Sequence, residues 1–565
     1  MIGSTRTHLV ALATASALVA GAVASSGASA SAEAVDGSPP TKVLIVLFDQ
    51  MRPEYADRFN MPNFRSLQDA GTNFNQAYLG YMGSETVVAH NVLMSGESPR
   101  NMGWVDEAYR DREGLLSPDT DQMWVTGELS YDQYGTIIQN KGYPKLADYL
   151  QEAQPGKKFI VVGQKSYAVD SAAAKSRSDT SDDDIAVRFS SRTGSTPTAE
   201  QAACFNTLGG RYRYPHGIYV PDYLYDPVND YCGRYWVNSS NTYGTSTAFP
   251  SWIYPLDGNR FVPGYDQAHL GGDTWVADAA MDMMQNEEWS GMFVTMGGID
   301  KAGHMWGAQD DRQSVPGSPD YQTHVQYAAE NADVQLGRML DKLEDLGELD
   351  DTLVVLTADH GATYGEEYYG KKSPGVSTTS DTNWYYGPNS LPSVYNDPSP
   401  ALAPLIATNN VAFSYQSTSI QTWLKDASKT QRNIALKAMK GLPGVIATYW
   451  RNGGKYQLYD KNPIPADEKQ WFKSKAQSIV NTMADSNGPD LVALLRDKVS
   501  YGAYGDHGGA SESVQRVPMV FWSQDMASGN NTSATFTTPD VMPTILQTLG
   551  IEQTYPTDGR ARSLG

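Results

Sequence analysis

Five short stretches of this chain are apolar with little or no interruption: Val43 to Phe48, Phe159 to Val162, Met292 to Thr295, Leu353 to Thr357 and Val517 to Trp522. A strand with one wet face alternates polar and apolar residues. A strand without alternation is covered on both faces, which is the environment of a mostly parallel sheet flanked by helices. Helical periodicity lies between the runs, as in Val276, Ala279, Ala280, Met283 and Met284 after Asp273, read as the N-cap, and in Ala329, Ala332, Leu336, Met339 and Leu343 before Gly347. The expected fold is therefore α/β, a mostly parallel central sheet sandwiched by helices. With 565 residues, 40% hydrophobic and 19% charged, the chain can bury a large core, and disorder is excluded. Two stretches break the alternation and are read as inserted lobes, at about 176–272 and 363–506. The second holds an expected hairpin in which Val445 to Arg451 and Lys455 to Tyr459 flank Asn452-Gly453-Gly454.

The first 32 residues read as a secretory signal peptide: Arg6 and His8, an apolar small-residue run from Leu9 to Ala24, then Ala28-Ser29-Ala30 and Ala30-Ser31-Ala32 as cleavage signals. The run is short and weakly hydrophobic for a membrane anchor, and no later stretch is long enough to span a bilayer. The expectation is a secreted chain of residues 33–565 with no membrane span. In that compartment its two cysteines, Cys204 and Cys232, are expected to pair. The formal charge of −21, from 43 Lys+Arg against 64 Asp+Glu, and the lack of any basic cluster argue against a nucleic-acid surface. An acidic protein that handles an anionic substrate needs strong local positive charge, and bound metal is a natural source.

Three carboxylates fall just beyond the apolar runs: Asp49, Asp300 and Asp359. In a parallel sheet those ends share one edge, where α/β folds place ligands. One such Asp is ordinarily a turn or cap residue. Here Asp300 is followed by His304, Asp359 by His360 and Gly361, and a third imidazole, His507, stands in Gly505-Asp506-His507-Gly508-Gly509 before the last strand. Carboxylates with imidazoles suit zinc and related divalent ions. His90, His216, His269 and His324 lack such companions. Ser84-Glu85-Thr86 precedes an apolar helical stretch from Val87 to Met94, and a hydroxyl at a helix N-terminus sits where backbone N–H groups favour phosphate. Beside a metal cluster such a hydroxyl can ionise and attack.

These pieces, with Met61-Pro62-Asn63-Phe64, Gly71, Ala77-Tyr78 and Pro543-Thr544-Ile545-Leu546, form an ordered series along the chain that resembles the alkaline phosphatase superfamily, most closely its type I phosphodiesterase and nucleotide pyrophosphatase branch. The resemblance implies two zinc ions, one surrounded by Asp49, Thr86, Asp359 and His360, the other held by Asp300, His304 and His507. It also implies that Thr86 attacks phosphorus to give a phospho-threonine that water hydrolyses. The Cys/Ser-x-Pro-x-Arg signature of the sulfatase branch is missing at Thr86.

Two departures bear on the substrate. Glu107 stands where the phosphodiesterase pattern has an Asn that donates to a phosphate oxygen; an ionised Glu cannot donate. The Lys-x-Arg pair of some monoesterases is replaced by Tyr167 and Val169, with Lys165 a possible substitute. The expected substrate is accordingly a small phosphate ester, with diesters preferred. The rival readings are an alkaline phosphatase acting on monoesters, which a phosphate-contacting Lys or Arg would favour, a phosphosugar or phosphoglycerate mutase, which export argues against, and a secreted binding protein that has lost its chemistry. A missing ligand or nucleophile would mark the last, and none is missing.

Overall fold

A computed structural model of the chain describes residues 39–565 apart from 119–120, 127–128, 130, 175–183, 189–217, 220–221, 225–269, 309–323, 365, 371–398 and 527–528. The signal segment, both cysteines and most of the first lobe lie outside the described residues.

The central sheet has nine strands. In chain order they are β1 (Lys42–Phe48), β2 (Thr72–Phe74), β3 (Lys158–Gly163), β4 (Asp184–Arg188), β5 (Ile218–Tyr219), β6 (Trp289–Met296), β7 (Thr352–Thr357), β8 (Met519–Trp522) and β9 (Asn530–Thr532). Their spatial order is β9-β2-β8-β7-β1-β6-β3-β4-β5. All neighbours run parallel except β8, which is antiparallel to both β7 and β2. β8 begins at Met519, two residues later than the apolar run, after Pro518, which has no N–H for a ladder. Every residue of β1, β6 and β7 is buried, as unbroken apolar runs require.

The site is carried by helices α1 (Thr86–Ser95), α2 (Ser166–Ala173), α3 (Leu270–Asn286) and α4 (Gly298–Trp306). Asp273 does not cap α3, which starts three residues earlier. Its buried carboxylate instead accepts the N–H of Gly298 at 3.2 and 3.1 Å and so caps α4, whose free N-terminal donors compete for it.

Two strands, β4 and β5, come from the stretch read as the first insertion and extend the edge of the central sheet. Within the second stretch a separate antiparallel sheet forms, in the spatial order Val411–Gln416, Ser419–Leu424, Leu491–Leu495, Val445–Arg451, Tyr456–Lys461. Its last pair is the hairpin expected around Asn452-Gly453-Gly454. Among the described residues no helix is long and apolar enough to cross a membrane.

Candidate active site

The register of the central strands places the site. Phe48 of β1 stands opposite Met296 of β6, and Leu47 opposite Thr357 of β7, so the three strands end level. Asp49 directly follows β1, Asp359 follows β7 after one residue, and Asp300 lies in the first turn of α4 just past β6; the three meet at one edge, all fully buried. His507 is held by the turn between the first two strands of the second sheet: Thr418 donates its N–H and its hydroxyl to the His507 carbonyl, at 3.1 and 2.7 Å.

Two clusters result, Asp49 with Asp359 and His360, and Asp300 with His304 and His507. In the first, His360 Nδ1 faces the Gly361 carbonyl at 3.2 Å, which fixes the tautomer and leaves a lone pair on Nε2. Burial, with His507 beside it, holds this imidazole well below its ordinary pKa, so it is neutral. Nε2 faces Asp359 Oδ2 at 3.3 Å and Asp49 Oδ1 at 3.6 Å. Nε2 and Asp359 Oδ2 have no hydrogen-bond partner. Acceptors turned toward one another in a dry interior fit a cation between them. In the second cluster His304 Nε2 lies 2.9 Å from Asp300 Oδ1 and 3.1 Å from His507 Nε2, with 3.6 Å closing the triangle. Atoms around a tetrahedral ion with bonds of ~2.0 Å stand about 3.3 Å apart. Both donor sets therefore fit a divalent ion of the zinc type.

Thr86 opens α1, buried at the same edge. Lys165, just before α2, was only a possible substitute in the sequence, and the structure places it at the centre. Its Nζ lies 3.0 Å from Thr86 Oγ1, 2.5 Å from Asp49 Oδ2 and 2.7 Å from Asp300 Oδ2. Burial opposes its charge, but Asp300 and Asp49 outweigh that and raise its pKa well above the usual lysine value. Burial alone would raise the Asp300 carboxyl; His304 and Lys165 pull it well below the usual range. A cationic side chain thus stands between Thr86 and the two carboxylates, at the position the sequence offered as a possible substitute for the Lys-x-Arg pair.

Behind His507 lies a buried acidic shell. Glu85 Oε2 is 2.8 Å from His507 Nδ1, the arrangement in which a carboxylate orients a ligating imidazole. Gly508 has φ +90°, and a Cβ there would meet Glu85 Oε1 at 2.2 Å, so only glycine lets the chain pass. Glu107 stands farther back in this shell, its Oε2 accepting the Tyr415 hydroxyl at 3.1 Å. His90 braces α1, with Nδ1 2.7 Å from the Thr86 carbonyl and Nε2 2.9 Å from Thr295 Oγ1. Burial lowers its pKa to about 3 and keeps it neutral. His216, His269 and the side chain of His324 lie outside the described residues.

This fold is that of the alkaline phosphatases. The solved structure of alkaline phosphatase PafA superposes with a TM-score of 0.56 at 14% identity, covering 93% of this chain and 98% of that one. Human ectonucleotide pyrophosphatase / phosphodiesterase 5 follows at 0.50 and 13%, covering 92% and 97%. Alkaline phosphatase PhoK of Sphingomonas sp is 22% identical over 523 residues, 88% of this chain and 86% of its own length. The sequence model of the family described as type I phosphodiesterase / nucleotide pyrophosphatase matches residues 43–378, more than half of the chain. The chain belongs to that family, within the alkaline phosphatase superfamily, as its ordered motifs indicated.

Proposed function

We propose that the chain is an exported phosphoric ester hydrolase that holds two divalent ions, zinc by the chemistry of its donors, and passes the phosphoryl group through Thr86, with monoesters preferred. Asp49, Thr86, Asp359 and His360 hold one ion, and Asp300, His304 and His507 the other. When bound, such a pair supplies Lewis acidity at the attacking and leaving oxygens of an in-line displacement.

The Thr86 hydroxyl gives up its proton to solvent and its Oγ1 bonds to phosphorus as the ester P–O bond breaks and the leaving oxygen takes a proton. A water oxygen then bonds to phosphorus, the bond to Oγ1 breaks, and phosphate leaves with the hydroxyl restored. The N–H groups at the start of α1, which Thr86 opens, are the donors that a helix N-terminus offers to phosphoryl oxygens.

The observation that carries the monoester reading is the 3.0 Å approach of Lys165 Nζ to Thr86 Oγ1. A monoester dianion carries one more negative charge than a diester, and a buried ammonium beside the nucleophile meets it. Its present partners, Asp49 and Asp300, are the carboxylates that ions would share, which frees the ammonium for phosphate. Alkaline phosphatase PhoK is consistent with this reading. The phosphodiester reading is favoured by the family match and by Tyr167, which stands two residues after Lys165 where a second cation would complete the pair. Turnover of an aryl phosphate monoester and the matching diester by the zinc-loaded protein decides between them. A several-fold diester preference overturns the monoester clause, and failure on both overturns the hydrolase.

A further inference from the structure

Gln50, between the ligand Asp49 and Met51, has φ 68°, the left-handed region that glycine occupies without penalty and other residues avoid. It is 1% exposed. Its backbone N–H donates to Asp359 Oδ1 at 3.1 Å. Its side-chain amide turns the other way, where Nε2 reaches Asp300 Oδ1 at 3.2 Å and the Gly505 carbonyl at 3.3 Å. The two acceptors fix the amide orientation, since a flip would set Oε1 against two oxygens. Oε1 is left buried without a hydrogen-bond partner. It lies against the backbone of Gly303, where an added Cβ would stand only 1.9 Å from it. Gly303, next to His304 in α4, leaves the room that this side chain occupies.

Backbone strain alone would place glycine at position 50. It would relieve the backbone, leave no orphaned amide oxygen and keep the N–H that Asp359 uses. A strained backbone and an unsatisfied buried polar atom in one residue mark a site where geometry is held for function. We infer that Gln50 is a positioning residue that spans the two ligand clusters, holding Asp359 with its backbone and Asp300 with its amide, and so sets the spacing of the two ions. The inference rests on the two-metal reading above. Spacing matters because a pair of ions acts as a clamp on attacking and leaving oxygens only at a limited separation.

The test uses the metal-stripped mature protein and its Gln50→Gly and Gln50→Ala variants, with Zn2+ affinity measured by competition against a chromophoric chelator and thermal unfolding followed without metal. Gln50→Gly is expected to unfold close to the parent, the relieved backbone strain offsetting the two lost hydrogen bonds, yet to bind one of its two ions about 10- to 100-fold more weakly, on the order seen when groups that orient metal ligands are removed. Gln50→Ala is expected to show the same affinity loss with an unfolding temperature below that of Gln50→Gly, because it keeps the left-handed strain that glycine relieves. Parental affinity for both ions in Gln50→Gly overturns the inference and leaves the two-metal reading standing. A parent that binds fewer than two Zn2+ overturns both.

Discussion

Lys165 Nζ lies 3.0 Å from Thr86 Oγ1 and within ion-pair distance of a carboxylate from each metal cluster, Asp49 and Asp300. One ammonium thus joins the proposed nucleophile to both cation sites. Replacing Lys165 by Ala removes a charge-assisted hydrogen bond worth about 1.5–3 kcal/mol. Monoester kcat/KM should fall by about 10- to 100-fold, and that of the matching diester by only a few-fold. Equal losses on the two substrates would show that Lys165 holds the ligands together and does not discriminate charge.

Thr86→Ala should lower turnover by about a thousandfold or more, equivalent to ~4 kcal/mol of barrier, while the protein still folds. Thr86→Ser should retain part of the rate because the attacking oxygen survives. Rapid quench of the parent enzyme with substrate, followed by peptide mass analysis, should find phosphate on Thr86. A near-normal rate in Thr86→Ala would falsify the covalent route and leave direct attack by water.

The strand-end carboxylates were legible because the geometry is repetitive: where an unbroken apolar run stops in a parallel sheet, the next residue stands at the ligand edge, as Asp49 does. Lys165, Glu85 and Gln50 were not legible in that way. Each takes its role from a contact with a residue far along the chain: Thr86, His507 and Asp300 respectively. Neither periodicity nor local spacing encodes such a contact. The edge strands β4 and β5 were hidden for another reason. At five and two residues they are too short to show a period against a background rich in turn formers.

Glu85→Gln should weaken binding of one ion by about 10- to 100-fold while leaving the other in place. The 2.8 Å contact from Glu85 to His507 Nδ1 orients the ring so that Nε2 points at His304 and Asp300. A neutral amide can still accept that hydrogen bond but supplies no charge to the imidazole. Metal analysis after dialysis against graded chelator should therefore show a protein with one ion before one with none. Loss of both ions in a single step would argue against separate clusters.

Glu97, just past the C-terminal Gly96 of α1, provides a test of stability that lies outside the metal ligands. The residue is 4% exposed. Burial, then the charge of Asp558, pushes its carboxyl from 4.5 up to about 7. A carboxyl whose pKa is raised in the folded state binds its proton more tightly there than in the unfolded chain. Between pH 4.5 and 7 the folded state holds the extra proton, so stability falls as pH rises through that window and stays lower above it. Glu97→Gln keeps the shape and removes the buried charge. It should leave unfolding at pH 4 nearly unchanged and stabilise the protein at pH 8 by about 1–3 kcal/mol. Denaturant unfolding of the metal-free parent and variant at the two pH values measures the difference, and an equal effect at both would assign the gain to packing and not to charge.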